Sequence, residues 1–492
     1  MKTPRVFGIF LLLCAALLLP AHAQEAVHTG ADFEAEGFSN AGQLWDGTRD
    51  TWAVAKDGGK VTVSRPDGIA GIYIEFDRLP QPWTLNETEP CGENGFLHEY
   101  VNVAARLGEP ADSVTLEFPA GTSIGEIYAF SPGELPGWVQ VWQPPLEEAD
   151  LLLVSSHSDD EQLFFAGVLP YYAVERKLAV QVVYLVQHFE RQGNQGHQRP
   201  HEQLNGLWTV GIRNYPIIPD FPDMYSESKN PETAFAQALK AYRSVDYEYE
   251  DFVSYLTGCI RRFKPLVVVS HDLKGEYGHG THVLCANALI DAVSAAADPA
   301  QYPDSASWGP WEIQKLYLHL YEDNQITLDL DTPLDSLGGK SPFQVTQAGF
   351  ACHYTQQWTW FNKWMNGTQA KPITRAADIK TYSPCLYGLY STTVGPDGQG
   401  GDFFENVDTY ADQRAREEAE RAAWEAEAAR QAEEARLQAE EEARAEAEAL
   451  RQAQAAQAER NRLLVMQLSV MAGVVLVFCV SLFLVVRRIR RR

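Results

Sequence analysis

Apolar and polar positions keep different rhythms in different stretches of the chain. From about residue 25 to 143 they alternate in short runs. Examples are Ile72-Tyr-Ile74-Glu-Phe76, Val114-Thr-Leu116-Glu-Phe118 and Trp138-Val-Gln-Val-Trp142, with Gly, Pro and Asp between the runs. Period two with that punctuation predicts an all-β sandwich over 24–143. Past Pro144-Pro145 the alternation stops. Continuous apolar runs, Leu151–Ser156, Leu178–Val186 and Pro265–Ser270, now trade places with helical patterns over Gln162–Arg176, Arg199–Val210, Asp251–Phe263 and Gly280–Ala297. Buried strands alternating with helices predict an α/β domain over 148–395. Its sheet is expected to be Rossmann-like and mainly parallel, with helices on both faces. Beyond Pro299 the chain is rich in Trp and Tyr and less regular. That part is expected to complete the sheet and wall a site, its rings serving as core more than as a sugar platform.

The rhythm changes again after a flexible break at 396–405, around Gly398-Gln-Gly-Gly401. No Gly or Pro occurs from Asn406 to Arg462, and Ala, Glu, Arg and Gln dominate, all strong helix formers. Large apolar residues are few (Trp424, Leu437, Leu450), which leaves a leucine-type zipper without support. The tract predicts a solvated helix or Ala-seamed coiled coil roughly 80 Å long, through which copies could associate. Leu463 to Val486 is uncharged and apolar over a bilayer-spanning length. The basic tail Arg487-Arg-Ile-Arg-Arg-Arg492 follows at once and predicts a cytoplasmic end at 487–492. At the other terminus, Lys2, Arg5, the apolar run Phe7–Leu19 and Ala21-His-Ala23 spell a secretory signal over 1–23. Both ends predict a single-pass membrane protein whose folded domains lie outside the cytoplasm.

Composition narrows this layout. A chain of 492 residues suits two or three domains. A net charge of −26 excludes a nucleic-acid binder, which would show a basic patch. Cys14 falls in the signal and Cys479 in the span, leaving five sparse cysteines with no CxxC spacing. Neither a disulfide scaffold nor a thiolate zinc site fits. A Cys352–Cys385 bridge remains open.

The chemistry concentrates at two strand ends. The run Leu151–Ser156 leads into His157-Ser-Asp159-Asp160-Glu161, and in open α/β sheets ligands bind at carboxyl ends of strands. The run ending at Ser270 leads into His271-Asp272-Leu-Lys-Gly-Glu276-Tyr277-Gly278-His279-Gly-Thr-His282. His279 and His282, three apart at a helix start, can face one point. Nine of the twelve histidines lie between His157 and His353. A His, an Asp and a second His form a catalytic zinc set with an open position. A free carboxylate nearby can take a proton from water, and another His can stabilise an oxyanion or protonate an amine. Near these strand ends no GxSxG elbow supports a serine hydrolase.

The paired stretches Ser156-His157-Ser158-Asp159-Asp160-Glu161 and Gly278-His279-Gly280-Thr281-His282 resemble the PIG-L/LmbE-like zinc deacetylases, over about residues 148–390. That family carries Ala-His-Pro-Asp-Asp-Glu and His-Pro-Asp-His. The resemblance implies His157, Asp160 and His282 as ligands of Zn2+, with Fe2+ an alternative. It implies Asp159 as general base and His279 as the electrostatic or general-acid histidine. Arg199 would contact substrate or form an ion pair with Glu202. His353 matches a late family element. Two positions depart, Ser158 for Pro and Thr281 for Asp; Asp272 or Glu276 could replace the lost Asp behind a histidine. Separately, Phe38 to Trp52 resembles the opening of discoidin-like modules, which often bind carbohydrate. Trp45 and Trp52 could stack on a sugar, although core burial suits them better.

These observations together imply a membrane-anchored, extracytoplasmic zinc deacetylase. Its substrate would carry an N-acetylglucosamine-type sugar in a surface glycan or glycoconjugate. The alternative is a non-catalytic glycan-binding surface protein with a degenerate deacetylase domain.

Overall fold

A computed structural model describes residues 25–190 and 194–491; the expected signal at 1–23 lies outside them. Contacts divide the chain into Met1–Tyr410 and Ala411–Arg492.

The N-terminal part carries strands β1 (Asp32–Ser39), β2 (Ala53–Ile69), β3 (Gly71–Phe76), β4 (Trp83–Leu85), β5 (Glu89–Cys91), β6 (His98–Asn102), β7 (Ala111–Phe118) and β8 (Ser123–Phe130), with the short helix α1 (Val103–Leu107). They form one continuous antiparallel path, β5-β4-β7-β2-β8-β3-β6, with β1 paired to β2. The long β2 joins the two halves: Ala53 and Val54 pair with β8, while Gly59 onward pairs with β7. Val61, Val63 and Leu116 of one half share a buried cluster with Ile72, Ile74 and Ile127 of the other. The stretch Trp138–Trp142 is not a strand; Val139 N turns back to Pro136 O.

The second sheet takes β9 (Leu151–Ser155), β10 (Val180–Tyr184), β11 (Val267–Ser270), β12 (Lys315–His319), β13 (Gln325–Thr327) and, after the two-residue strands β14 (Gly367–Thr368) and β15 (Lys371–Pro372), β16 (Leu386–Thr392). Its order is β10-β9-β11-β12-β16-β13. The first four neighbours are parallel. The last two pairings are antiparallel, so the sheet expected to be mainly parallel is mixed, with three parallel pairings and two antiparallel ones. The late strand β16 inserts between β12 and β13 and runs against both.

Successive residues of β9 serve opposite faces. Leu151 and Leu153 pack with Leu204 and Leu207 of α3 (Gln195–Thr209). Leu152 and Val154 pack with α5 (Tyr249–Phe263) and α6 (Gly280–Ala297). The helix expected over 162–176 shrinks to α2 (Asp160–Leu163) and a turn at Pro170–Glu175. Gly167, at φ +85°, and Pro170 break it. Helix α4 (Pro231–Arg243) was not legible, because its buried stripe is only Ala234, Ala238 and Tyr242. Helices α7 (Pro342–Ala351) and α8 (Trp360–Asn366) follow β13.

The β-rich part grips α3. Arg78 donates to Gly196 O at 2.7 Å, and His98 Nε2 meets His201 Nδ1 at 2.6 Å. Trp52 stacks on His197 at 3.9 Å between centroids, and Trp45 stacks on Phe33. Both rings thus have protein partners. Cys352 and Cys385 are free thiols, not a bridge.

The second unit is made by helix α9 (Tyr410–Ile489), whose first residue, Tyr410, is buried in the first unit. One stretch of it is long and apolar enough to cross a membrane.

Candidate active site

The turn after β9 is held by its own polar groups. His157 N donates to Asp160 Oδ2 at 2.8 Å, and Asp159 N donates to Glu161 Oε2 at 2.9 Å. Ser156 N donates to His271 Nε2 at 2.9 Å, tying the end of β9 to the end of β11. Asp159 sits at φ 151°, a backbone conformation that costs an L residue energy. The neighbouring aspartates are thereby sent in different directions.

The second cluster is set by close packing. Gly278 has φ +80°, and a Cβ there would fall 2.4 Å from Ser228 O. A Cβ on Gly280 would fall 2.0 Å from Ser226 Oγ. Only glycines let α6 begin here. His279 caps it, its Nδ1 accepting from Thr281 N at 3.2 Å, so in the neutral ring the proton is on Nε2. His282 lies in the first turn, with no exposure.

Three ligand atoms converge. His157 Nδ1 lies 2.9 Å from Asp160 Oδ2 and 3.1 Å from His282 Nε2; Asp160 Oδ2 and His282 Nε2 are 3.2 Å apart. Ligands of a tetrahedral zinc, each about 2.0–2.1 Å from the ion, stand about 3.3 Å apart. His279 and His271 also approach: the sets His157, His279, His282 and Asp160, His271, His282 each have ligand atoms within 4.8 Å. Burial opposes charge on His282, but Asp160 and Glu276 outweigh it and push its pKa up to about 10. The pocket therefore favours positive charge where the three atoms meet, as a cation site requires.

Glu276 organises the histidines from behind. Its Oε2 accepts from His282 Nδ1 at 2.7 Å and His271 Nδ1 at 2.9 Å. Its Oε1 meets His319 Nδ1 at 2.6 Å and accepts from Asp272 N at 3.2 Å. The bond to His282 Nδ1 turns the Nε2 lone pair toward Asp160 and His157. Of the two residues expected to replace the missing Asp, Glu276 is the one in contact.

Asp159 stands beside this cluster. Its Oδ1 lies 3.2 Å from Arg199 Nη2, which also donates to Ser158 O at 3.0 Å. Burial, offset by Arg199, pushes the Asp159 pKa up to about 6. Of the two alternatives for Arg199, the ion pair with Glu202 is not formed; Glu202 instead accepts from Thr355 N and Oγ1 at 2.8 and 2.7 Å. His353 is buried with Nε2 3.4 Å from Glu161 Oε1, so it backs the carboxylate that holds the Asp159 backbone.

Two residues had no signal in the motifs. Asp223 Oδ1 lies 3.5 Å from His157 Nε2, and Asp223 Oδ2 lies 3.3 Å from His188 Nδ1. His188 Nε2 accepts from Ser158 N at 3.1 Å. Burial and then the Arg199 charge push the His188 pKa down to about 3, keeping it a neutral acceptor. The strand-end rule that found His157 and His271 would have reached His188 had it been applied past Val186.

A buried His/Asp/His cluster with a second aspartate at its edge narrows the families to consider. A family model described as GlcNAc-PI de-N-acetylase (PIG-L) matches residues 152–293. The chain carries a PIG-L domain. That span includes all six residues singled out above: His157, Asp159, Asp160, Arg199, His279 and His282. Proteins named 1D-myo-inositol 2-acetamido-2-deoxy-alpha-D-glucopyranoside deacetylase are similar to this chain. The one from Geodermatophilus obscurus is 27% identical over 209 residues, 39% of this chain and 68% of that protein. The one from Rhodococcus jostii is 31% identical over 185 residues, 35% of this chain and 61% of that protein. Similarity thus spans about two thirds or less of each relative. A solved N,N'-diacetylchitobiose deacetylase from Pyrococcus horikoshii matches at 14% identity, over 50% of this chain and 85% of that one, with a TM-score of 0.32.

Proposed function

We propose that the PIG-L domain is a zinc-dependent deacetylase acting on an N-acetylglucosamine-type sugar in a surface glycan or glycoconjugate. The observation that carries this is the division of two adjacent aspartates. Asp160 Oδ2 joins two histidine nitrogens within 3.2 Å, while Asp159 is drawn aside to Arg199. His157, Asp160 and His282 would hold the ion. Bound zinc supplies Lewis acidity that polarises an amide carbonyl and makes water nucleophilic near neutral pH.

Asp159 then accepts the proton of the attacking water. His279, with Nδ1 engaged by Thr281 N, presents Nε2–H to the carbonyl oxygen as negative charge develops. The C–N bond breaks, the sugar nitrogen leaves as an amine with a proton relayed from Asp159 or His279, and acetate remains. Arg199 restrains Asp159 and offers its guanidinium to the substrate. We read the apolar part of α9, residues 463–486, as a membrane anchor with the PIG-L domain on the extracytoplasmic side.

The test measures bound zinc and acetate release from N-acetylglucosamine oligomers. Asp159→Asn should keep its zinc and lose acetate release by about 10²–10⁴-fold. Full activity in that variant would remove Asp159 as base. A wild-type chain that binds no zinc, and stays inactive with zinc added, would sink the reading.

A further inference from the structure

The segment Tyr354-Thr-Gln-Gln-Trp358-Thr-Trp360-Phe361 is folded inside out. Its polar side chains are tied to protein partners. Thr355 binds Glu202, Gln357 Nε2 donates to Phe350 O at 2.8 Å, and Thr359 Oγ1 donates to Gln356 O at 2.7 Å. Its rings point out: Tyr354 is 60% exposed, Trp358 78% and Trp360 47%. Large rings left in water forgo the burial that would stabilise the fold, and clusters of them mark binding surfaces.

These rings lead away from the candidate site. Tyr277 lies 5.5 Å, between centroids, from both His279 and His282. Trp360 meets Tyr277 edge-on at 5.6 Å. Trp358 follows two residues earlier and packs edge-on against Tyr354 at 6.1 Å. Tyr354 lines a cavity of about 320 Å³ with Gln198, Glu202 and Asn205, and with Arg49 and Asp50 from the β-rich part. On the other flank, Tyr225 lies 5.3 Å from His279.

We propose that Trp360, Trp358 and Tyr354 form a track for sugar units beyond the one deacetylated, ending at the cavity where Arg49 and Asp50 meet the chain. The occupant is a linear glycan. Pyranose rings have flat apolar faces that cover aromatic rings, and hydroxyl edges that amide and charged side chains can bind. Among the described residues, the exposed large apolar side chains of this segment are all aromatic, with no aliphatic ones between them, and the cavity at the end of the row offers amide, carboxylate and guanidinium groups to sugar hydroxyls. The proposal rests on the deacetylase reading and gives that site a polymeric substrate. It also gives the β-rich part a place in binding that substrate.

The experiment uses the full chain in lipid nanodiscs. Acetate release is compared on a monosaccharide N-acetylglucosamine glycoside and on the β-1,4 hexamer. Wild type should show a higher kcat/KM on the hexamer. Trp358→Ala and Tyr354→Ala should each lower kcat/KM on the hexamer by about 3–10-fold through KM, with the monosaccharide rate within about twofold of wild type. Equal losses on both substrates, or none, overturn the track. If wild type releases no acetate from either, the deacetylase reading fails. The track is then judged by hexamer binding, measured by calorimetry on Asp159→Asn with and without Trp358→Ala. Unchanged binding overturns it, as does a Trp358→Ala effect confined to self-association of the chain.

Discussion

Glu276→Gln is a sharp perturbation because it keeps volume and removes only acceptor capacity. The carboxylate has four partners: His282 and His271 on Oε2, His319 and Asp272 N on Oε1. An amide has one acceptor oxygen. Placing it at Oε2 keeps both ligand-side histidines but turns an NH2 group toward Asp272 N–H and His319. The reverse rotamer strands His282 and His271 instead. The cheaper choice leaves at least one buried donor unpaired, which costs about 1–3 kcal/mol. At about 1.4 kcal/mol per decade that is about 5- to 140-fold in an equilibrium constant. Behind metal-binding histidines, such losses run to about 10–100-fold in affinity. We therefore expect Glu276→Gln to bind zinc about 10–100-fold more weakly, read by competition with a chromophoric chelator. Glu276→Ala, which strands all four partners, should also unfold at markedly lower denaturant. An unchanged zinc affinity in the Gln variant would refute the role assigned to Glu276.

The other expectations are simpler. His188→Ala removes the acceptor of Ser158 N and should lower stability to denaturant by about 1–3 kcal/mol, with a drop in kcat. His188→Gln, whose amide oxygen can still accept, should recover at least half of both; equal damage in the two variants would argue against an acceptor role. Removing residues 463–492 should move the protein from the membrane fraction to the soluble one with acetate release retained. A truncated chain that still sediments with membranes would place the anchor elsewhere.

Both halves of the site were legible because each is local. A buried apolar run followed by His and Asp is visible within about a dozen residues, and it led to His157, Asp160, His279 and His282. The structure brings those four together across 125 positions. What remained hidden comes from residues whose neighbours carry no period. Asp223 lies in a loop between α3 and α4, and nothing in Asp220-Phe-Pro-Asp223 marks it. Glu276 lay inside a quoted stretch, but its three histidines come from the end of β11, the first turn of α6 and the end of β12. The antiparallel end of the sheet was obscured because β12, β13 and β16 lie in a Trp- and Tyr-rich region where alternation is blurred. The grip of the β-rich part on α3 depends on side chains more than a hundred positions apart, beyond any local pattern.

The backbone of Asp159 has a consequence for how the PIG-L domain could change over time. Its φ of 151° suits glycine far better than aspartate. Selection for thermal robustness alone would therefore favour replacing this carboxylate, and each such gain would extinguish the proposed chemistry. Position 159 is where stability and turnover pull in opposite directions. A glycine there, in a chain otherwise preserving His157, Asp160 and His282, would be the mark of a protein that kept the pocket after giving up the reaction.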